Sequence, residues 1–270
     1  MKLVFMFLYS LSLFFWGQED KEIIISKETN EDKQVLVYAE NISFSPYTVT
    51  INANLTEMSV DRKIPSILVV APKSKALILT ITPNPKPKGN KYGYSLNTTS
   101  YMGDVNAKHD DDYTYTLPYK KGESYRVSQG YYGNVSHQGV KAIDFMMPIG
   151  TKVYAMRDGT VVDVREDSDK GCPSDECLKM GNFVTVLQSD NSFAEYYHLK
   201  KNGAAVKLGD KVKTGDLIGY SGATGWATGP HLHVEVYLRK KSDSKITVDT
   251  YFDISGKRML LKKGNVPIKH

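Results

Sequence analysis

Gly225-Trp226-Ala227-Thr228-Gly229-Pro230-His231-Leu232-His233-Val234-Glu235-Val236-Tyr237 is the stretch from which the chain can be read. From His231 onward apolar and polar residues alternate, which is the period of a strand, and Gly229-Pro230 turns the chain tightly into it. Positions i and i+2 of a strand share a face. His231 and His233 therefore project one way, Leu232 and Val234 the other. Two imidazoles on one face can seat a zinc ion and leave a base beside it. An isolated His-x-His also occurs on ordinary exposed strands, so its meaning depends on what joins it.

Three further residues join it: His137 in Ser136-His137-Gln138-Gly139, Asp144 in Ala142-Ile143-Asp144-Phe145, and His198 at the end of Glu195-Tyr196-Tyr197-His198. Four of the six histidines thus fall in one module, each in a strand or strand-edge context; only His109 and His270 lie outside it. By the i, i+2 rule Tyr196 shares a face with His198.

The surrounding sequence is β-prone. Val153–Ala155, Gly159–Val164, Phe183–Gln188 and Phe193–His198 read as strands, the last two joined by the polar turn Ser189-Asp190-Asn191-Ser192. Val206–Gly219 alternates apolar residues between glycine turns, as in a compact β-barrel corner. Ser221-Gly222-Ala223-Thr224-Gly225 lacks the following Lys-Ser/Thr and helix of a phosphate loop, and no Gly-x-Ser-x-Gly elbow marks a serine hydrolase.

The ordered set His137-x-Gly139, Asp144-Phe145, Pro148-x-Gly150-Thr151-x-Val153-x-Ala155, Asp158-Gly159-x-Val161, Gly181-Asn182 and Tyr196-x-His198-Leu199 extends further along the chain. It continues with Gly209-Asp210-x-Val212-x-x-Gly215-x-x-Ile218-Gly219 and Gly222-x-Thr224-Gly225, and ends at Thr228 to Val236. Over residues 121–236 this series resembles the lysostaphin-type, LytM-like zinc metalloendopeptidases, which hydrolyse peptidoglycan. The resemblance implies that His137, Asp144 and His233 bind Zn²⁺, with a water at the fourth position whose pKa the metal lowers to about 7. It implies that His198 and His231 stand beside the metal as base and hydrogen-bond donors, and that Tyr196 helps hold the substrate carbonyl. Simple members of the family place three residues between the first two ligands. Here six separate His137 from Asp144, so the loop Gly139–Ile143 must fold back for both to reach one ion. The resemblance implies an exported endopeptidase acting on stem or bridge peptides of peptidoglycan. A catalytically silent envelope scaffold or amidase activator of the same fold is the alternative.

The N-terminal half reads differently. Glu22–Ser26, Gln34–Glu40, Tyr47–Asn54, Ser66–Val70 and Ala76–Thr82 are short β-prone runs with polar breaks, spaced as in an immunoglobulin-like β-sandwich, without the cysteine pair of true immunoglobulins. The whole is expected to be all-β: a signal peptide over 1–18, a sandwich module over 19–112, and an antiparallel, barrel-like peptidase domain over 113–270. The module carries no catalytic constellation and is read as a spacer that could cover the cleft or dock an envelope protein. His109-Asp110-Asp111-Asp112 reads as a connector rather than a metal cluster, because consecutive side chains diverge.

The 270 residues hold room for one large or two ordinary domains. At 41% hydrophobic and 24% charged, the composition argues against general disorder. A net charge of +5 with no aromatic-interleaved basic run argues against nucleic acid. Lys2 followed by the apolar run Leu3–Trp16 reads as an export signal, placing the protein in the periplasm, the cell envelope or the medium. An exported protein can oxidise Cys172 and Cys177 into a small staple; a disulfide or two free thiols is preferred over a metal site. Arg239-Lys240-Lys241 and Lys262-Lys263 make the tail basic and are read as solvated surface.

Overall fold

The computed structural model describes residues 22–86, 88–89, 91–242 and 244–270; the expected signal segment lies outside them. Seven strands come first: β1 (Ile23–Thr29), β2 (Val35–Asn41), β3 (Tyr47–Thr56), β4 (Met58–Val60), β5 (Ser66–Val70), β6 (Ser74–Pro83) and β7 (Gly93–Met102). They form two antiparallel sheets, β1-β2-β6-β4 and β5-β3-β7. Alternation on β2 and β3 sends Val37, Ala39, Val49 and Ile51 inward, where with Ile78, Leu79 and Ile81 they make one apolar core between the sheets.

The chain changes partners between Met102 and Thr114. Strand β8 (Thr114–Tyr115) pairs with a C-terminal strand, and the next elements are β9 (Val127–Gln129), β10 (Ala142–Phe145), β11 (Lys152–Tyr154), β12 (Gly159–Arg165) and β13 (Gly171–Cys172). A short 3₁₀ helix, Asp175–Met180, precedes β14 (Asn182–Leu187), β15 (Phe193–Ala204), β16 (Lys211–Val212), β17 (Leu217–Ser221) and β18 (Gly225–Trp226). The last strands are β19 (Leu232–Lys241), β20 (Ser244–Thr247), β21 (Tyr251–Ile254) and β22 (Lys257–Leu260). The main sheet runs β16-β12-β14-β15-β19-β10-β9, with β17 joining β11 and β15, and β20 flanking β19.

One face of this sheet is a dense apolar core. Leu232, Val234 and Val236 of β19 meet Ala194 and Tyr196 of β15, Val184 and Val186 of β14, and Ile143 and Phe145 of β10, all buried. The opposite face takes the alternate residues. Cross-strand register aligns Gln129, Asp144, His233, Tyr197 and Phe183 in one row, and Glu235, Glu195, Thr185 and Asp163 in a parallel one. The polar residues of the sequence are thus gathered by pairing rather than by nearness in the chain.

The first module is fastened at the far end of that face. Phe44 and Met102 pack with Val162, Leu187, Phe193 and Tyr237. A Cβ on Gly209 would lie 2.5 Å from the Phe44 ring, so this close approach needs glycine, which also has φ +91° there. Tyr101 donates its hydroxyl to the Lys240 carbonyl at 2.8 Å, and Asn191 donates to Asp104 at 3.0 Å. Cys172 and Cys177 form a disulfide around the short helix, and β13 pairs with β18 beside Trp226.

Candidate metal centre

Asp144 and His233 are direct partners across β10 and β19. His137 reaches them from a loop. Val140 donates its N–H to the His137 carbonyl at 3.1 Å and Gly139 adopts φ +76°, so the longer connection folds back and enters β10 at Ala142. His137 Nε2 lies 3.1 Å from Asp144 Oδ1 and 3.2 Å from His233 Nδ1, and His233 Nδ1 lies 3.0 Å from Asp144 Oδ1. His137, Asp144 and His233 are the one metal-competent cluster of His, Cys, Asp and Glu among the described residues. His109 instead bonds Asp111 and the Tyr115 hydroxyl, as a connector would.

Each donor is held from behind. His137 Nδ1–H donates to the Gly130 carbonyl at 2.9 Å, which aims the Nε2 lone pair at the cluster. Gln129 Nε2 donates to Asp144 Oδ2 at 3.1 Å, leaving Oδ1 inward. His233 Nε2 faces Glu235 at 3.9 Å, and Glu235 accepts from Lys245 at 2.6 Å. Burial alone would raise the Asp144 carboxyl, but its close contacts with His137 and His233 hold it far below the usual range. Burial lowers His233, yet Asp144 and Glu235 outweigh it and lift it to about 10.

The donor set fits zinc. Two imidazole nitrogens and a carboxylate oxygen at about 2.0–2.1 Å from a tetrahedral ion stand about 3.3 Å apart. The three observed separations fall just inside that spacing.

His198 and His231 stand beside the cluster with ring centroids 4.3 Å apart, and His198 is 5.9 Å from His233. His198 Nδ1–H donates to the Thr224 carbonyl at 2.6 Å and His231 Nδ1–H to the Gly229 carbonyl at 2.8 Å. Carbonyls accept only, so in both rings the Nδ1 proton is fixed and Nε2 is the nitrogen turned to the cluster. His231 Nε2 is 3.8 Å from Asp144 Oδ1. Burial, with the nearby His231 and His233, pushes His198 down to about 3, so its ring is neutral. The glycine turn at 221–225 supplies the Thr224 carbonyl that orients it.

Tyr196 is not at the site. Its side chain is buried in the apolar core and its hydroxyl accepts the Met156 N–H at 2.7 Å. Uninterrupted alternation would have put it beside His198. The pairing instead steps from Phe183–Tyr197 to Asn182–Leu199, leaving His198 as an extra residue at φ +66°. The bulge turns Tyr197 and His198 to the same face and returns Leu199 to the core. Tyr197 is the tyrosine that reaches the cluster, 6.4 Å from His233 between ring centroids, with its hydroxyl donated to the Leu178 carbonyl.

A groove of about 640 Å³ opens from Asp144 and His231. Ser128–Tyr131 and Gly133–Ser136 form one wall, Trp226 and Thr228 another, and Leu260–Lys263 its end. Among the described residues, none of the N-terminal module lines it.

Residues 137–245 match Peptidase family M23. The chain is 44% identical over 40% of its length to an uncharacterized metalloprotease of Buchnera aphidicola, covering 25% of that protein. It is 37% identical over 43% of its length to glycyl-glycine endopeptidase ALE-1 of Staphylococcus capitis, covering 29% of it. Against peptidoglycan DD-endopeptidase ShyA of Vibrio cholerae the identity is 36% over 45% of this chain and 27% of that one. The chain therefore spans about a quarter of the length of these relatives. The family match spans His137, Asp144 and His233, so the three residues that build the cluster all lie in the part of the chain similar to Peptidase family M23.

Proposed function

We propose that this chain is an exported zinc-dependent endopeptidase that hydrolyses peptide cross-links of peptidoglycan. The observation that carries the reading is the convergence of His137 Nε2, Asp144 Oδ1 and His233 Nδ1 at the head of a groove, with two further imidazoles alongside. Its relatives named as glycyl-glycine and peptidoglycan DD-endopeptidases support the substrate class.

His137, Asp144 and His233 would hold the zinc ion. When bound, zinc polarises a scissile carbonyl and makes water a nucleophile near neutral pH. The protein's own groups do the rest. The groove aligns an extended peptide across the head of the cluster. His198 and His231 present Nε2 to the reacting region, where an imidazole that accepts a proton from the attacking water can return that proton to the leaving amine while the other ring hydrogen-bonds the reacting groups. The Thr224 and Gly229 carbonyls fix both rings, so little ordering is left for the moment of reaction. No helix among the described residues is long and apolar enough to cross a membrane.

The test is muropeptide release from purified sacculi, read by mass spectrometry, with zinc content measured on the same sample. Release should stop with a chelator and return with Zn²⁺. His231→Ala should keep about one zinc per chain while losing about 10²–10⁴-fold in kcat. Stoichiometric zinc without release by the intact protein, or normal release by His231→Ala, would overturn the reading.

A further inference from the structure

Lys262 and Lys263 lie in the basic tail, beyond the residues matched to the family, yet they form the end of the groove that begins at Asp144 and His231. Their turn is firmly built. Lys262 N–H donates to Asn265 Oδ1 at 2.8 Å, and Asn265 N–H to the Lys262 carbonyl at 3.0 Å. Gly264, at φ +93°, donates its N–H to Val127, and Val127 donates back to Asn265, both at 2.9 Å. The turn is thereby hydrogen-bonded to β9, the strand that also carries Gln129.

It also touches the metal cluster's support. A Cβ on Gly130 would lie 3.3 Å from Lys263 N and 3.6 Å from Lys262 Cα. Gly130 is the residue whose carbonyl holds His137. One glycine thus separates the backbone of the two lysines from the carbonyl that holds the first metal-competent histidine.

The charge of the groove is one-sided. Its lining includes Lys262 and Lys263, and its single carboxylate is Asp144, already committed to His137 and His233. Neither lysine ammonium has an ion-pair partner among the described residues. Their side chains are exposed, so they pay little desolvation while free and can close on an anion that enters the groove.

We infer that the Lys262–Lys263 turn is a subsite for a carboxylate on the peptide, displaced along the groove from the scissile bond. This rests on the endopeptidase reading and narrows it. A stem peptide, which carries free carboxylates beside its cross-link, satisfies the subsite. An uncharged oligoglycine bridge does not.

The test uses the full chain loaded with Zn²⁺ and one cross-linked stem peptide in two forms, with its carboxylates free or amidated, with N-acetylated, C-amidated pentaglycine as the neutral bridge. kcat/KM for the acid form should exceed that for the amide about tenfold or more. The preference should reside in KM and shrink as NaCl rises from 50 to 500 mM. In Lys262→Gln/Lys263→Gln the acid-to-amide ratio should fall towards one. Binding of both forms to His231→Ala, read by fluorescence anisotropy, gives the same comparison without turnover. Cleavage of no peptide by the zinc-loaded protein would overturn the endopeptidase reading, while anisotropy would still decide the subsite. Equal affinity for acid and amide, or a preference that survives in the double variant, would overturn the subsite alone. If the double variant unfolds, the single variants and the salt series on the unaltered protein decide.

Discussion

Asp144 and Gln129 are cross-strand partners on β10 and β9, and the Gln129 side-chain amide donates to Asp144 Oδ2 at 3.1 Å. Gln129 also donates to Ser136 at 2.8 Å and accepts from the Val135 N–H at 3.0 Å, so one side chain fixes the carboxylate and the loop that delivers His137. Replacing Gln129 with Leu frees both. Zinc affinity should weaken about 10–100-fold, measured by competition with a chromophoric chelator. Unchanged affinity would show that the carboxylate needs no such support.

Tyr196 provides a complementary check, because the bulge removes it from the site. Tyr196→Phe leaves the Met156 N–H without an acceptor in the core and should cost about 1–3 kcal/mol in urea denaturation. Its kcat/KM should stay within twofold of the parent. A hundredfold loss of activity with unchanged stability would return the tyrosine to the chemistry.

Lys245 bridges Glu235 at 2.6 Å and Glu195 at 2.9 Å on the face that carries the cluster. Lys245→Met strands two adjacent carboxylates. About a third of the lysine side chain reaches solvent, so the cost should be about 2 kcal/mol rather than the 3–5 of a sealed pair. Chemical denaturation at pH 7 measures it.

Acid stability should depend on Asp190. Burial pushes its carboxyl up, but the Ser192 hydroxyl, the Asp110 and Ser192 N–H groups and Arg157 together hold it at about 2, below its ordinary value of 3.8. A depressed carboxyl stabilises the fold above the unfolded-state pKa, and that contribution is lost as pH falls from about 4 through about 2. With allowance for screening it is about 1–2 kcal/mol. Asp190→Asn should flatten the pH dependence of Tm across that window while lowering Tm at neutral pH.

The residues that gather at the centre were legible because they alternate: His233 follows from His231 by the strand period, and Asp144 sits in a strand that needed only to pair beside it. Glu235 stood at the next same-face position and could have been found by the same rule. Gln129 could not, since its relation to Asp144 depends on the register of β9 against β10, a long-range pairing that no local pattern encodes. The error at Tyr196 has the same root in reverse. The alternation rule assumes one residue per step, and Tyr197, His198 and Leu199 place three residues where the partner strand has two. The three-residue strand Met58–Val60 is too short to show a period in the sequence. Lys262 and Lys263 are exposed, as their charge implies, but nothing in the dipeptide itself shows that its turn ends the groove.

At position 198 one residue supplies both the bend of the backbone and the imidazole. The left-handed conformation admits glycine, asparagine and aspartate readily and repels β-branched side chains. A valine there would straighten the strand and remove the ring in one step, whereas an asparagine would keep the bend and silence only the ring. The residues tolerated at 198 are therefore filtered by chain geometry before any reaction takes place, and the histidine is the one that passes both filters.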